Sequence, residues 1–423
     1  AELHIEGLEG TARYVGMGGA MEALGADIST MSSNPAGIGL FRRSMISGSF
    51  GFNSQSDAAD IGKRKTKASF DHAGFVHTMR SGRNSYVNFG VSYTKSRNFN
   101  QILTATGRLN GASQNKLSSM KNYNDLYRLE KRNGELTSQW GTNNNPDLPY
   151  NQVDYLYSNA LLNDKNSQLV GMNANGYNGG NYLGDASGVL DASGNLRAAY
   201  YNADGYDFFR GTSGYIGEYN FNISGNSRNR FYWGLTFGLY DVNYSHASEY
   251  TERLVNNAQN PIGSVTIADE RTISGTGFDI KAGVIFRPIE DSPFRVGLYV
   301  HTPTWYDLKT ENRTTLVSKL ADGCGNGNKS TSGRYDYKFY TPWRFGGSLG
   351  YTVGQHLALG ATYEYADYSY SDIRVNEGGV YDYWGNYYEE SITPSSLLQL
   401  TTSKAAIISH RLLVKYFFIR FRI

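Results

Sequence analysis

The side chains best equipped for chemistry in this 423-residue chain are seven histidines, one cysteine and two acidic repeats, and none falls into a working constellation. His4, His72, His77, His246, His301, His356 and His410 are spread along the whole length. His72 and His77, five apart, face opposite sides of any strand that carries both, so they cannot share a metal or a proton. Cys324 has no second thiol to pair with, which excludes an intrachain disulfide and a thiolate cluster. The repeats Asp185-Ala186-Ser187-Gly188 and Asp191-Ala192-Ser193-Gly194 supply too few oxygens for calcium and read as β-turns. The run Gly16-Met17-Gly18-Gly19 superficially suggests a phosphate cradle, but no strand precedes it and no Lys-Ser/Thr follows it. These residues predict no enzyme, no cofactor and no metal.

The elements that carry such residues must therefore be read for another purpose. Lys+Arg 40 against Asp+Glu 38 leaves a net charge of +2 with no basic block, which removes nucleic acid as a partner. The mean hydropathy of −0.49, with no window of about 18 to 20 uncharged apolar residues, removes a membrane-spanning helix. Gly 49 and Tyr 34 against Pro 9 favour strands and tight turns over helices. A soluble all-β protein and a membrane β-barrel remain.

Alternating segments near ten residues long, the length of a tilted membrane strand, recur from residue 43 onward. In 230–240, Phe231, Trp233, Leu235, Phe237 and Leu239 share one face, and Tyr232, Gly234, Thr236 and Gly238 the other. The same division recurs in 86–94, 215–223, 278–286, 294–300, 343–353 and 357–365. Glu218, Asp279, Lys281, Arg344 and Glu364 fall on the small-or-polar face. Ten strands can be counted, the last at 415–423. Short connections at 81–84, 226–229, 288–292 and 354–355 alternate with long ones at 54–66, 100–212, 246–270, 309–333 and 370–400, a regularity of outer-membrane barrels rather than of sandwiches. Tyr93, Tyr240, Trp305 and Tyr368 near strand ends fit interfacial girdles. Apolar residues at helical spacing predict two amphipathic helices on the rim, at 117–129 and 153–162. The sequence thus predicts an all-β, antiparallel transmembrane barrel over 43–423, with a long extracellular insertion at about 100–212.

Residues 1–42 break the period of two. They carry Gly16-Met17-Gly18-Gly19-Ala20, then Asp27, then Asn34-Pro35-Ala36-Gly37. This segment resembles the N-terminal hatch, or plug, of the FadL family of outer-membrane transporters for long-chain fatty acids and other hydrophobic compounds. The stretch 297–303 and the run from Thr341-Pro342 through 363–369 are similar to strands of that family. The resemblance implies a barrel of fourteen strands, four more than can be counted here, and a signal peptide already removed before Ala1. It further implies a monomer in the outer membrane, in contact with its lipid and lipopolysaccharide.

The mechanism the resemblance implies is passive. A hydrophobic small molecule enters an interior pocket, whose occupation displaces the N-terminal segment and opens a path. Leu3, Ile5 and Leu8 are candidates for the movable plug, or equally for a frayed end. Met17, Gly18 and Gly19 belong to the matched motif, and Asn34, Pro35, Ala36 and Gly37 to a rigid turn that presses on the wall, with Gly37 free to take a positive φ. Family analogy adds a kinked third strand, for which Gly90 is the nearest candidate. The inward charges Glu218, Lys281, Arg344 and Glu364 are expected to hold the hatch through Arg13, Asp27 and Arg42. A haem uptake receptor and a surface carrier or docking barrel for protein secretion are the alternative functions. The loss of Gly after residue 387 and of Asp and Glu after 391 predicts an incomplete wall from about residue 395.

Overall fold

The computed structural model describes residues 10–56, 65–114, 116–117, 128–132, 135–139, 187–190, 196–256, 258–320, 327–354, 357–375, 380–381, 387–388 and 408–418. Leu3, Ile5, Leu8, Cys324 and the helix expected at 153–162 lie outside the described residues.

Fourteen antiparallel strands join in one sheet. They are β1 (Met45–Ser54), β2 (Thr66–Gly82), β3 (Ser85–Asn98), β4 (Gln101–Ala112), β5 (Asn202–Ser227), β6 (Phe231–Val255) and β7 (Pro261–Phe286). They continue as β8 (Arg295–His301), β9 (Trp305–Leu320), β10 (Gly327–Tyr340), β11 (Arg344–Val353), β12 (Leu357–Asp367), β13 (Asp372–Val375) and β14 (Ile408–Phe418). Ten lie on a continuous path, β1-β2-β3-β5-β6-β7-β8-β11-β12-β14, and these are the ten that alternation picks out. The other four extend the wall beyond it: β4 along β5, β9 along β7, β10 along β9, and β13 along β10.

Several stretches expected as long loops are therefore strand. β6 and β7 stay in register from Phe231↔Phe286 out to Leu254↔Gly263, and β9 and β10 out to Ser318↔Gly327. The alternation does not stop there; its apolar half does. On β6 the outward face reads Trp233, Leu235, Phe237, Leu239 and then Asp241, Asn243, Ser245, Glu249, so hydrophobicity loses a strand that ladder bonds continue. Of the helix expected over 117–129, Leu117 is helical, residues 118–127 lie outside the described residues, and Arg128 and Leu129 sit in a short hairpin. Ser187 and Gly188 likewise sit in a strand, not a turn. The last strand starts at Ile408, earlier than expected, and pairs with β12. Among the described residues β1 pairs only with β2 and β14 only with β12, so no ladder joins the two edges there.

Which face is buried decides what kind of wall this is. Phe221, Ile223, Leu235, Phe237, Ile280, Leu298, Phe345 and Leu349 are exposed on one face. On the opposite face Asn88, Ser92, Asn220, Asn222, Thr236, Asp279, Lys281 and Thr362 are buried. Aqueous proteins do the reverse, and a contiguous apolar band of this size has no stable place in water. On β6 the apolar run ends at Leu239, nine residues into a 25-residue strand, which matches the roughly 9 to 11 residues needed to cross a bilayer. The rest of the strand projects beyond.

The sheet curls around residues 10–41. Backbone or side chains of this one segment lie against a glycine on each of eight neighbouring strands: Gly74, Gly90, Gly225, Gly234, Gly283, Gly297, Gly350 and Gly360. A Cβ on Gly90 would strike Met31 Cε, and one on Gly234 would strike the Pro35 carbonyl. The high glycine content thus has a packing cause, because the wall sheds side chains where the segment presses on it.

Candidate functional site

The interior is layered, and its first layer is the N-terminal segment. Helix α1 (Ala12–Gly16) is capped by Thr11, and two 3-10 turns, Ile28–Met31 and Pro35–Leu40, are capped by Asp27 and Asn34. Each cap is a short polar side chain accepting an orphan N–H at a turn start. Asp27 also accepts from Thr11 Oγ1 at 2.8 Å and lies 3.9 Å from Arg13 Nε, so it ties the segment to itself. Gly18 and Gly19 leave α1 with φ of 62° and 79°, a turn that disfavours a side chain. Met17 packs with Met21 and Leu24 against Ala358, while Ile28, Met31, Ile38 and Phe41 pack against Val76.

Asn34, Pro35, Ala36 and Gly37 are all buried, and the turn they form lies against β6, β7 and β8. Asn34 Nδ2 donates to Glu22 O at 3.1 Å while its Oδ1 accepts from Ala36 N. Gly37 is not in the positive-φ region that its place in the turn suggested; a Cβ there would collide with Thr30, so packing requires it. Gly90 does not mark a kink either. The β3 ladder runs in register through it, and the offset in that strand falls between Lys95 and Arg97.

The wall grips this segment mostly through neutral donors. Asn88 Nδ2 donates to Ile38 O at 2.7 Å, Asn226 Nδ2 to Gly39 O at 3.1 Å and Asn220 Nδ2 to Ser32 Oγ at 3.0 Å. Arg295 Nη1 donates to Leu24 O, and Thr362 Oγ1 to Glu22 Oε2, each at 2.5 Å. His301 Nε2 lies 2.5 Å from Ser33 O; since the carbonyl only accepts, this nitrogen carries the proton.

The expectation that Glu218, Lys281 and Glu364 hold the segment through Arg13, Asp27 and Arg42 is overturned. Lys281 Nζ pairs with Glu218 Oε1 at 2.5 Å and Asp279 Oδ1 at 3.3 Å. Glu364 accepts from Tyr299 Oη at 3.0 Å, and Arg42 is exposed. Buried charges satisfy one another within the wall because the nearest partners are on adjacent strands. Tyr240 belongs to this second, polar layer rather than to a girdle. It is buried, donates to Asp279 Oδ2 at 2.8 Å and accepts from Lys281 Nζ at 2.9 Å. Its parity with Thr236 and Gly238 was the signal that places it inside.

Above the polar layer lies an apolar one that alternation reveals only in part: Ile216 and Tyr240 fall in the alternating segments 215–223 and 230–240, but Phe99, Val242, Leu308 and Phe339 lie outside every such segment. Phe99, Ile216, Tyr240, Val242, Leu308 and Phe339 form a buried cluster, with Tyr244, Ile273, Tyr306, Tyr337 and Ile373 packed against it. The rings of Tyr240 and Tyr306 are 5.6 Å apart, and those of Phe99 and Tyr244 5.0 Å. This layer sets aromatic faces and edges against aliphatic side chains.

Farther out, Glu252 is buried and fastens the start of the insertion. Its carboxylate accepts from Gln114 N at 2.9 and 3.0 Å and from Tyr250 Oη at 2.9 Å, while Ser113 Oγ donates to Tyr201 O at 2.6 Å. Burial raises the Glu252 carboxyl above its ordinary range, against the lowering effect of the Gln114 and Tyr250 bonds. Of the histidines, His72 is buried and lies 3.0 Å from Thr94 Oγ1, while His77 is exposed beside Ser44. Among the described residues no three His, Cys, Asp or Glu side chains gather to hold a metal.

No protein-family model and no curated protein matches the chain. Among solved structures it is similar to the Ralstonia pickettii toluene transporter TbuX, with a TM-score of 0.39 and 13% identity over 91% of this chain and 79% of that one. It is likewise similar to the P. putida toluene transporter TodX, with a TM-score of 0.39 and 11% identity over 87% and 74% of the two chains.

Proposed function

We propose that this chain is a FadL-like passive transporter of the outer membrane, which takes up hydrophobic small molecules through a β-barrel gated by its N-terminal segment. The observation that supports it is the inverted wall: apolar side chains outward over one bilayer's length, polar side chains inward, and an inner segment seated against eight strands. A soluble carrier would need the opposite faces.

In this reading residues 1–42 are the hatch. A ligand enters from the extended outer strands and settles in the aromatic layer around Phe99, Tyr240 and Phe339. Passage then requires the segment to move, and ligand can drive that movement only by preferring the displaced state over the seated one. Asn34, Pro35, Ala36 and Gly37 are the part of the hatch that bears on the wall, and Met17, Gly18 and Gly19 shape its lower turn. No step involves covalent chemistry, so the function is transport and not catalysis.

The test is uptake by cells or proteoliposomes carrying the full chain against one lacking residues 1–8, with a long-chain fatty acid and toluene as separate probes. The reading expects saturable uptake of at least one probe and an altered rate in the deletion. A correctly inserted full chain that accumulates neither above an empty-vesicle control would refute it.

A further inference from the structure

Three neighbouring strands of the wall are interrupted at one level. The first break, Thr302-Pro303-Thr304, separates β8 from β9; the second, Thr341-Pro342-Trp343, separates β10 from β11. The third, at Tyr368–Tyr370 and Ser371, separates β12 from β13. Below this level β8 pairs with β7 and β11, whereas above it β9 pairs with β7 and β10. The two prolines have no N–H to contribute to a ladder. The breaks are instead bridged locally, by Thr304 N to Thr341 Oγ1 at 2.8 Å and Thr341 N to Thr304 O at 3.2 Å.

On the outward side this fault opens into a cavity of about 400 Å³ lined by Pro342, Trp343, Phe345, Tyr365, Asp367 and Tyr370. Trp343 is 50% exposed, Phe345 51% and Tyr370 78%. Trp343 and Phe345 stack with centroids 6.3 Å apart. The single carboxylate, Asp367, is turned to the wall's own backbone, accepting from Ser369 N and Ser369 Oγ. What the cavity offers a guest is predominantly aromatic and aliphatic.

Its place says what the guest is. Phe345 and Leu349 share the outward face of β11, so the cavity is continuous with the apolar band, at that band's outer end. The next outward residues on β9, β10 and β13 are charged: Asp307, Lys338, Asp372 and Arg374, with Arg374 paired to Asp372 at 2.7 Å. A guest here meets apolar walls below and a charged rim above, the profile of one leaflet of a bilayer. We propose that this cavity is a seat for one acyl chain of a bilayer lipid, which fills the fault where three strands fail to continue their ladders. The inference rests on the outer-membrane reading above. It adds a lipid site on the outside of the wall, distinct from any path for cargo inside.

The experiment reconstitutes the full chain in bilayers doped with a phosphatidylethanolamine carrying a diazirine near the end of one acyl chain, irradiates, and maps the adducts by mass spectrometry. The expected result is several-fold more adduct at Trp343 and Phe345 than at Phe221 and Leu235, which are 47% and 46% exposed on the open band. In Tyr370→Ala, a change in an exposed turn that leaves the strands intact, the excess at Trp343 should fall to the band level. Uniform labelling over the band would overturn the proposal. So would loss of the excess when toluene or a fatty acid is added, which would assign the cavity to cargo. A chain that fails to insert labels nowhere, and that outcome refutes the membrane reading instead.

Discussion

Lys281 reaches Glu218 from two strands away, its Nζ 2.5 Å from Glu218 Oε1, across a strand on which Gly238 lies between Thr236, opposite Lys281, and Tyr240, opposite Glu218. A Cβ on Gly238 would fall 3.2 Å from Lys281 Nζ and collide with Asp279 Oδ1, so the bare backbone is what lets the charges meet. Lys281→Met leaves two buried carboxylates without their cation. Breaking a buried pair in this way costs about 3–5 kcal/mol. Denaturant unfolding in detergent should show a loss of that size, and most of it should return in Lys281→Met combined with Glu218→Gln and Asp279→Asn. A single variant as stable as the native chain would mean the charges are solvated.

Gly90 and Met31 form the corresponding contact between wall and inner segment. Gly90→Leu places a side chain where Met31 Cε lies, and overpacking typically costs about 1–3 kcal/mol. The strand belongs to the continuous wall, so the expected yielding part is the segment. Basal permeability in a vesicle-swelling assay should rise with heat-modifiable migration unchanged, and Gly90→Leu with Met31→Ala should restore it. Loss of migration in both variants would show that the wall yields first.

How much of this was legible in the sequence depends on whether a signal was local. The ten wall strands, the inward position of Asp279 and Lys281, and the special character of 16–20 and 34–37 follow from period two and its interruption. The outer halves of β6, β7, β9 and β10 were hidden because their outward residues are mostly polar and their inward ones mix polar, aliphatic and aromatic side chains, so strand and polar loop share a composition. Of the apolar cluster, Ile216 and Tyr240 fall in alternating segments, whereas Phe99, Val242, Leu308 and Phe339 lie outside them. Partners of the inward charges could not be read at all, since they depend on which strands are neighbours. That is why Arg13, Asp27 and Arg42 were matched to charges that Lys281, Asp279 and Tyr299 already satisfy.

Leu235 and Glu249 lie on the same outward face of β6, one inside the apolar band and one beyond it. Leu235→Arg should cost about 2–4 kcal/mol if that position faces the middle of a bilayer. Glu249→Arg, on an exposed polar stretch, should change stability by less than about 0.5 kcal/mol. Equal effects in detergent–lipid unfolding would remove the membrane from the explanation of the band.

Glu252 gives a pH dependence whose sign can be fixed. Its carboxyl is raised in the folded chain, chiefly by burial. A carboxyl raised on folding contributes stability that is complete below its unfolded value and is lost as the pH climbs through the folded one. The fastening of Gln114 and Ser113 to the outer hairpin should therefore weaken from near pH 4.5 upward. Glu252→Gln keeps a side-chain oxygen for Gln114 N and removes the titration. Unfolding midpoints followed from pH 4 to pH 8 should fall more steeply in the native chain than in the Gln variant. Parallel profiles would show that Glu252 titrates as it does in water, and an opposite slope would show that the bonds from Gln114 and Tyr250 outweigh its burial.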